Sequence, residues 1–313
     1  MMNRIILIIA AGLLCACTQT VVLNSGDEYM LDRWTLNQEG TETCYDVEVP
    51  STVAGALCDK GVFGEDLLDG LNYFDVDKSI FDKTWTYRTS FNLDKVEGQR
   101  YELVFNGLNY YADIFVNDAC VASSDTTYGV FIKRAYDVTD LLEKKNDIEV
   151  RIRRAQPRDL NIGFVDWNPR PLDESMGIIQ TVKLCAAGAV SIEDVYVIPD
   201  LDVETFAEAD IEVRVDLKNS ASAPVCADIV LAIQNGETCK IPVELAANER
   251  KTVVLAPEQA AILHIENPRV WWSYELGNPE LYDLGVQVVS EGKVSDRKDV
   301  TFGIRKIESW LNE

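Results

Sequence analysis

The sequence is poor in histidine: His264 is the single histidine among 313 residues. A serine-histidine-aspartate relay, or a zinc site built from several histidines, would have to use this one residue. His264 lies in the apolar run 261–265, Ala-Ile-Leu-His-Ile, which favours a structural role over a catalytic one. We therefore expect neither a metal ion nor a cofactor.

Basic residues are also scarce. Lysine and arginine total 29 against 52 acidic residues, and the net charge is −23. Non-specific nucleic-acid binding depends on cationic side chains that displace counterions from phosphates, so this balance argues against a nucleic-acid partner. The small basic cluster Arg151, Arg153 and Arg154 lies in an alternating run in which Arg151 and Arg153 share a face, and we interpret that face as solvated.

The apolar run near the amino terminus, Ile5 to Leu14, is well short of the ~18 residues that a membrane-spanning helix requires. It follows Arg4, so residues 1–16 are predicted to be a secretion signal. The segment 14–17, Leu-Cys-Ala-Cys, resembles a bacterial lipobox, in which cleavage after residue 16 leaves Cys17 as the lipidated first residue. The alternative is ordinary signal cleavage nearby, with Cys17 left free or lost.

Lipid on Cys17 would anchor the protein to a membrane of the bacterial cell envelope. Thr18 follows it, and the absence of aspartate at that position resembles lipoproteins sent to the outer membrane. Whether the protein faces the periplasm or the outside stays open.

The cysteines past Cys17 show neither a Cys-x-x-Cys pair nor zinc-ribbon spacing, which argues against redox and metal roles. They form either disulfides or buried thiols. Cys226 and Cys239 flank a predicted hairpin with Gly236 in its turn and can pair across it. We favour buried thiols, because dispersed cysteines in a large core behave as small hydrophobic residues. The six are Cys44, Cys58, Cys120, Cys185, Cys226 and Cys239.

Short alternating runs separated by turn residues favour an antiparallel β-sandwich over βαβ units. One helix is predicted over 53–60, where Ser51 or Thr52 can cap the first free N–H groups, and a short helical turn at 139–142. The rest is predicted to be strand or loop. The alternating runs are 101–105, 113–116, 148–153, 181–184, 195–198, 211–217, 227–233 and 284–288.

A joint of small residues at 186–189 divides the chain, and the first domain is predicted to close near Leu184. About seven strands from Ser191 to Arg305 are typical of an immunoglobulin-like sandwich. Trp271-Trp272 is either a sugar platform or a packing contact between domains, and we favour packing between domains.

The segment from Gly163 to Gly177 is not strand-like and carries Asp166 beside Trp167. An aromatic face covers the apolar C–H surface of a pyranose ring, while a neighbouring carboxylate accepts hydrogen bonds from two hydroxyls. Turn chemistry alone also produces loops rich in asparagine, proline and aspartate. The pair is therefore a candidate sugar site whose weight depends on the rest of the chain.

Short motifs surround this loop along most of the chain. They are Pro50 to Leu57, Trp85 to Arg88, Phe105 to Leu108, Ala112 to Asn117, Tyr136 to Thr139, Asn267 to Trp272, Gly277 to Tyr282 and Phe302 to Arg305. In this order they resemble glycoside hydrolase family 2, especially its β-mannosidase and exo-β-glucosaminidase branches. In that family an Asp-Trp pair at the end of an N-terminal jelly roll reaches into the active site of a neighbouring barrel.

The resemblance implies an all-β fold, a jelly-roll (galactose-binding-like) sandwich followed by an immunoglobulin-like β-sandwich. It divides the chain into a lipoprotein signal peptide (1–16), a jelly-roll sugar-binding domain (17–186), an immunoglobulin-like sandwich (187–306) and the start of a barrel domain (307–313). Family members hydrolyse glycosides with retention through two barrel glutamates, which such chemistry places about 5–5.5 Å apart. No position here matches either motif, so no catalytic residue is expected in this chain.

By resemblance, this is the non-catalytic N-terminal region of a retaining exo-glycosidase, which contacts a β-mannoside or a β-glucosaminide through Asp166, Trp167 and Asn168. Val165 stands where mannosidases commonly have tryptophan, and the sugar stays open between mannose and an amino sugar. The alternatives are a stand-alone carbohydrate-binding lipoprotein and an assembly partner for a separate catalytic barrel chain. The apolar end around Trp310 favours a further partner.

Overall fold

A computed structural model describes residues 20–163, 165–234, 236 and 238–311. The fold is nearly all β, as predicted, and forms two β-sandwiches in sequence. One hydrophobic core extends from Leu23 to Ala186 and the other from Val190 to Ile304. The predicted signal segment and Cys17 lie outside the described residues.

The first sandwich pairs a large sheet with two smaller ones. The large sheet has the order β10-β9-β12-β6-β3-β4, with β1 parallel to β6, and the smaller sheets run β11-β7-β14-β2 and β5-β13-β8. Two helices, α1 (Val53–Asp59) and α2 (Asn72–Asp75), and a 3-10 helix (Lys78–Asp82) join the strands. The strands are β1 (Thr20–Val21), β2 (Glu28–Met30), β3 (Arg33–Gln38), β4 (Cys44–Glu48), β5 (Ser51–Thr52), β6 (Trp85–Leu93), β7 (Arg100–Phe105), β8 (Leu108–Asn109), β9 (Tyr111–Val116), β10 (Ala119–Ala122), β11 (Arg134–Asp137), β12 (Lys145–Arg153), β13 (Gly177–Ile178) and β14 (Val182–Ala187).

Strand alternation explains the first core. Leu36, Tyr87, Val150 and Ile114 lie side by side across β3, β6, β12 and β9, and all four are fully buried. Because successive side chains of a strand point to opposite faces, their neighbours form the outer face of the sheet. Arg151 is exposed on that outer face, as predicted.

The predicted helix at 53–60 is confirmed as α1. It begins at Val53 because the Thr52 hydroxyl accepts a hydrogen bond from the Gly55 N–H at 3.0 Å. The short helical turn predicted at 139–142 is confirmed: the N–H groups of Leu141 and Leu142 both donate to the Val138 carbonyl, at 2.9 and 3.1 Å, before β12 begins. The prediction of strand or loop elsewhere missed α2 and the 3-10 helices.

The second sandwich contains two four-stranded sheets. One has the order β15-β16-β19 with β20 also paired to β16, and the other runs β18-β17-β21-β22. The predicted hairpin around Gly236 is β17 and β18. A 3-10 helix, Ala261–Leu263, precedes β20. The strands are β15 (Val190–Leu201), β16 (Glu208–Asn219), β17 (Val225–Ile233), β18 (Thr238–Leu245), β19 (Arg250–Leu255), β20 (His264–Glu266), β21 (Tyr282–Ser290) and β22 (Lys293–Phe302).

His264 is an exposed residue of β20. Its Nδ1 lies 2.7 Å from an Asp210 carboxylate oxygen, and this hydrogen bond raises the pKa of the imidazole. The residue therefore joins two neighbouring surface strands.

The paired tryptophans contact residues of the second sandwich. The Arg305 guanidinium lies 4.7 Å from the ring centre of Trp271, and the rings of Trp272 and Phe206 are 5.8 Å apart. All of these partners belong to the second sandwich. The pair packs there because Gly277 and Gly303 leave room for the two indole rings.

The cysteines are thiols, as predicted, but the prediction that they are buried is wrong. All six described cysteines are free thiols, four of them exposed and two half-buried. A bridge between Cys226 and Cys239 is excluded by register, because Cys226 faces Glu244 and Cys239 faces Leu231. The two cysteines therefore lie near opposite ends of the hairpin instead of across from each other.

Candidate functional site

Asp166, Trp167 and Asn168 lie together in the long connection between β12 and β13, residues 154–176. The Asn168 N–H donates to the Val165 carbonyl at 3.2 Å and closes a tight turn around the other two residues. All three are exposed, and Trp167 has 82% of its surface in solvent. The structure therefore presents an exposed carboxylate and an exposed indole at consecutive positions in the tip of one loop.

The first half of this loop is attached to the sheet through Asp159. Its carboxylate accepts a hydrogen bond from the Tyr111 hydroxyl at 2.9 Å and another from the Gln156 N–H at 2.6 Å. The bond to Asp159 raises the pKa of Tyr111, because a carboxylate acceptor favours the protonated phenol. Tyr111 begins β9, so the loop is fixed to a strand of the large sheet that lies between β10 and β12.

The second half is attached through Asp173, which is 1% exposed. One of its oxygens accepts from the Ala54 N–H at 2.6 Å and the other from the Ser175 N–H at 2.9 Å. Burial raises the pKa of Asp173, and these two bonds act in the opposite direction. The base of the loop is thereby tied to the first turn of α1.

Two amides and an ion pair hold the segment just before β13. The side-chain amides of Asn109 and Asn161 donate to the Glu174 carbonyl at 3.3 and 3.1 Å. The Glu174 carboxylate binds the Arg170 Nε at 2.8 Å, and the Arg170 carbonyl accepts from the Tyr73 hydroxyl at 2.7 Å. These contacts hold the part of the loop that lies between its tip and β13.

A tyrosine cluster beside the loop was not found from the sequence. The ring centres of Tyr110 and Tyr111 are 4.9 Å apart, and Tyr128 lies 6.5 and 6.1 Å from them. Tyr128 is half-exposed. The Tyr110-Tyr111 pair was the available signal, but Tyr128 joins it only through the fold.

The Asp166 carboxylate is exposed at the tip of the loop. None of the described residues donates a hydrogen bond to the Asp166 carboxylate, so its oxygens are available to a ligand. Within the described ranges there is no group of three or more histidine, cysteine, aspartate or glutamate side chains that can hold a metal ion. No helix in those ranges is long and apolar enough to cross a membrane.

Two family models match the chain. A model described as "Glycosyl hydrolase 2 galactose-binding domain-like" matches residues 34–162, and a model described as "Glycosyl hydrolases family 2" matches residues 190–305. The first falls within the first sandwich and the second within the second. Asp166, Trp167 and Asn168 lie between the two matched segments.

Three known proteins show what the chain is similar to. An exo-β-D-glucosaminidase of Streptomyces avermitilis is 33% identical over 270 residues, 86% of this chain and 30% of that protein. A β-mannosidase of Rattus norvegicus is 21% identical over 302 residues, 84% of this chain and 33% of that protein. A crystal structure of an exo-chitosanase from Amycolatopsis orientalis superimposes with a TM-score of 0.83 at 27% identity, over 92% of this chain and 35% of the other. The chain spans about a third of the length of these relatives.

Proposed function

The chain belongs to glycoside hydrolase family 2, and from this premise we propose that it is the non-catalytic, substrate-contacting region of a retaining exo-glycosidase. Its substrate would be a β-mannoside or a β-glucosaminide, bound in part by Asp166, Trp167 and Asn168. The chemical step itself is assigned to a barrel, as in the family. The observation that carries the proposal is the loop 154–176, anchored at both halves and bearing an exposed Asp-Trp pair at its tip.

The chemistry of the pair supports a sugar ligand. The 82% exposed indole of Trp167 offers a flat apolar face to the C–H surface of a pyranose ring. The Asp166 carboxylate can accept charge-assisted hydrogen bonds from two neighbouring hydroxyls, each contributing about 1.5–3 kcal/mol. Within the described part of the chain, neither side chain has a hydrogen-bond or ion-pair partner that it would have to leave in order to bind.

Two observations favour the amino sugar over mannose. The exo-β-D-glucosaminidase of S. avermitilis is 33% identical to this chain, whereas the rat β-mannosidase is 21% identical. The net charge of −23 also attracts a protonated amino sugar, because a strongly acidic surface raises the local concentration of cations. A β-glucosaminide is therefore the substrate that we propose first.

The test is calorimetric titration of the chain with a glucosamine disaccharide and a mannose disaccharide. We expect the glucosamine compound to bind more tightly, and Asp166→Ala and Trp167→Ala each to weaken it at least tenfold. Trp310→Ala removes another largely exposed tryptophan and serves as the matched control. Equal affinities for the three variants would refute the assignment of the loop.

Exposed apolar side chains favour a second candidate, an assembly partner for a separate catalytic chain. The Tyr73 hydroxyl binds the Arg170 carbonyl, and the Tyr73 and Phe74 rings are 5.8 Å apart, so the region around α2 adjoins the loop. If this function holds, mixing the chain with a catalytic barrel should restore hydrolysis. If the chain is a stand-alone carbohydrate-binding lipoprotein, sugar binding should occur without any gain in activity. The exposed apolar side chains around α2 and in the loop 154–176 are those of Leu68, Leu71, Phe74, Leu160 and Trp167.

For the localisation we propose a lipid anchor on Cys17 in the bacterial cell envelope, on the outer membrane. The support is the sequence around that residue alone. Metabolic labelling with an alkyne fatty acid should mark the protein, and Cys17→Ser should abolish the label. Labelling that survives Cys17→Ser would contradict the proposal.

A further inference from the structure

The outer face of the large sheet carries an open groove of about 1320 Å³. Its floor crosses β4, β3, β6, β12 and β9, and the last turn of α1 also lines it. Neighbouring strands lie about 4.8 Å apart, so five strands give a floor about 19 Å long. This length suits several sugar rings in a row, whereas the Asp166 loop presents one indole face.

The polar side chains on the floor are held in place by one another. The Glu149 carboxylate binds the Arg88 Nε at 2.7 Å and the Arg151 Nε at 2.5 Å. The Arg151 guanidinium also lies 4.5 Å from the ring centre of Phe115. Because these contacts fix the side chains before binding, a ligand loses less conformational entropy when it uses their remaining donors and acceptors.

The groove is acidic. Seven carboxylates and four cationic side chains line it, which gives a net charge of −3. Among the residues that the structure describes, Glu149 is the only one of the seven in an ion pair. A ligand that supplies both hydroxyls and positive charges would satisfy this lining. The other six carboxylates belong to Asp32, Asp46, Glu48, Asp59, Asp118 and Asp147.

Helix α1 connects the groove with the Asp166 loop. Its first turn donates the Ala54 N–H to Asp173 at the base of the loop, and its last residue, Asp59, lines the groove. Seven helical residues span about 10 Å. Pro50 and Ser51, just before the helix, also line the groove, so the groove runs along this short helix, whose first turn holds the base of the loop.

We propose that the groove is a second glycan site, which holds an extended, cationic amino-sugar polysaccharide along the sheet. It is lined by residues other than Asp166 and Trp167. The inference rests on the proposed function, since it takes the polymer to be built from the sugar that the loop contacts. Its role is to keep a long chain on the protein while one end lies at the loop.

The test is calorimetric titration of the chain with a glucosamine hexasaccharide, at a pH where its amines are protonated. The double variant Asp46→Asn/Glu48→Gln removes two exposed charges from the groove. Asp94→Asn/Glu97→Gln removes two exposed charges from the turn between β6 and β7 and is the matched control. We expect the groove variant to bind at least fivefold more weakly, the control to bind like the parent chain, and the neutral N-acetylated hexasaccharide to bind at least tenfold more weakly.

A glucosamine disaccharide separates the two sites. Asp166→Ala should weaken its binding, while Asp46→Asn/Glu48→Gln should leave it unchanged. Equal hexasaccharide affinity for the groove and control variants would overturn the groove, even if Asp166→Ala still weakens the disaccharide. An equal loss in both double variants would also overturn it, because general charge attraction would then explain the binding.

Discussion

Replacement of Asp173 by alanine tests how the candidate loop is held. The substitution leaves two N–H groups, those of Ala54 and Ser175, without their carboxylate acceptor. A buried donor left unsatisfied costs about 1–3 kcal/mol, so the two together cost about 4 kcal/mol. Burial raises the pKa of Asp173, and relief of this unfavourable burial offsets part of the cost. We therefore expect Asp173→Ala to lower the free energy of unfolding of the first domain by about 3 kcal/mol.

The assay is urea unfolding followed by tryptophan fluorescence, with the transitions of the two domains fitted separately. A loss of about 3 kcal/mol and a slope of about 3 kcal/mol per M together shift the midpoint of the first domain by about 1 M. Asp173→Asn keeps one acceptor oxygen and should lose about half as much. The same variants should weaken sugar binding at Trp167, because the base of the loop is then released.

Asp77 provides the matched control. Its carboxylate also accepts a backbone hydrogen bond, from the Ser79 N–H at 2.9 Å, but this residue is exposed. Water can replace the lost acceptor there, so Asp77→Ala should shift the unfolding midpoint much less than Asp173→Ala. An Asp173→Ala midpoint within error of the Asp77→Ala midpoint would refute the reasoning from burial.

Three further predictions concern other parts of the chain. Burial raises the pKa of Asp296 to about 6, so the unfolded chain loses this proton at a lower pH than the folded chain. The free energy of unfolding should therefore fall by about 3 kcal/mol as the pH rises from about 4 to about 6. In urea titrations at several pH values, Asp296→Asn should make this decrease smaller. Gly177 has φ +153°, and a Cβ added there would lie 2.5 Å from the Ser51 carbonyl oxygen, so Gly177→Ala should lower the melting temperature by several degrees. Gly163 has open space around it, so Gly163→Ala should leave the melting temperature unchanged. Burial raises the pKa of Cys185 to about 12, so iodoacetamide at pH 8 should modify this thiol far more slowly than that of the exposed Cys226. Native mass spectrometry measures the two rates, and equal rates would contradict the prediction.

Alternation allowed the main strands to be predicted from the sequence. In Ile148 to Arg153 the apolar residues fall on every second position, and the structure buries those positions while leaving Arg151 and Arg153 exposed. The helix start was likewise predicted, because Ser51 or Thr52 before an apolar run can satisfy a free N–H, and the structure shows that Thr52 is the cap. Such signals are local, so they can be read from one short segment.

Other features could not be predicted because their partners come from distant segments. Cys226 and Cys239 flank a hairpin, yet only the register of β17 and β18 shows that they do not face each other. The packing of Trp271 depends on Gly303, which lies in another segment. In the candidate site, the Asp166–Trp167 pair is visible in the sequence, but the anchors of its loop, such as Asp173 on Ala54, exist only in the folded chain.

The measurement that tests the central claim most directly is a crystal structure of the chain soaked with a glucosamine disaccharide. We predict sugar density stacked against the Trp167 indole, with two hydroxyls within hydrogen-bond distance of the Asp166 carboxylate. Density bound elsewhere on the chain, with this loop empty and accessible in the crystal, would contradict the account.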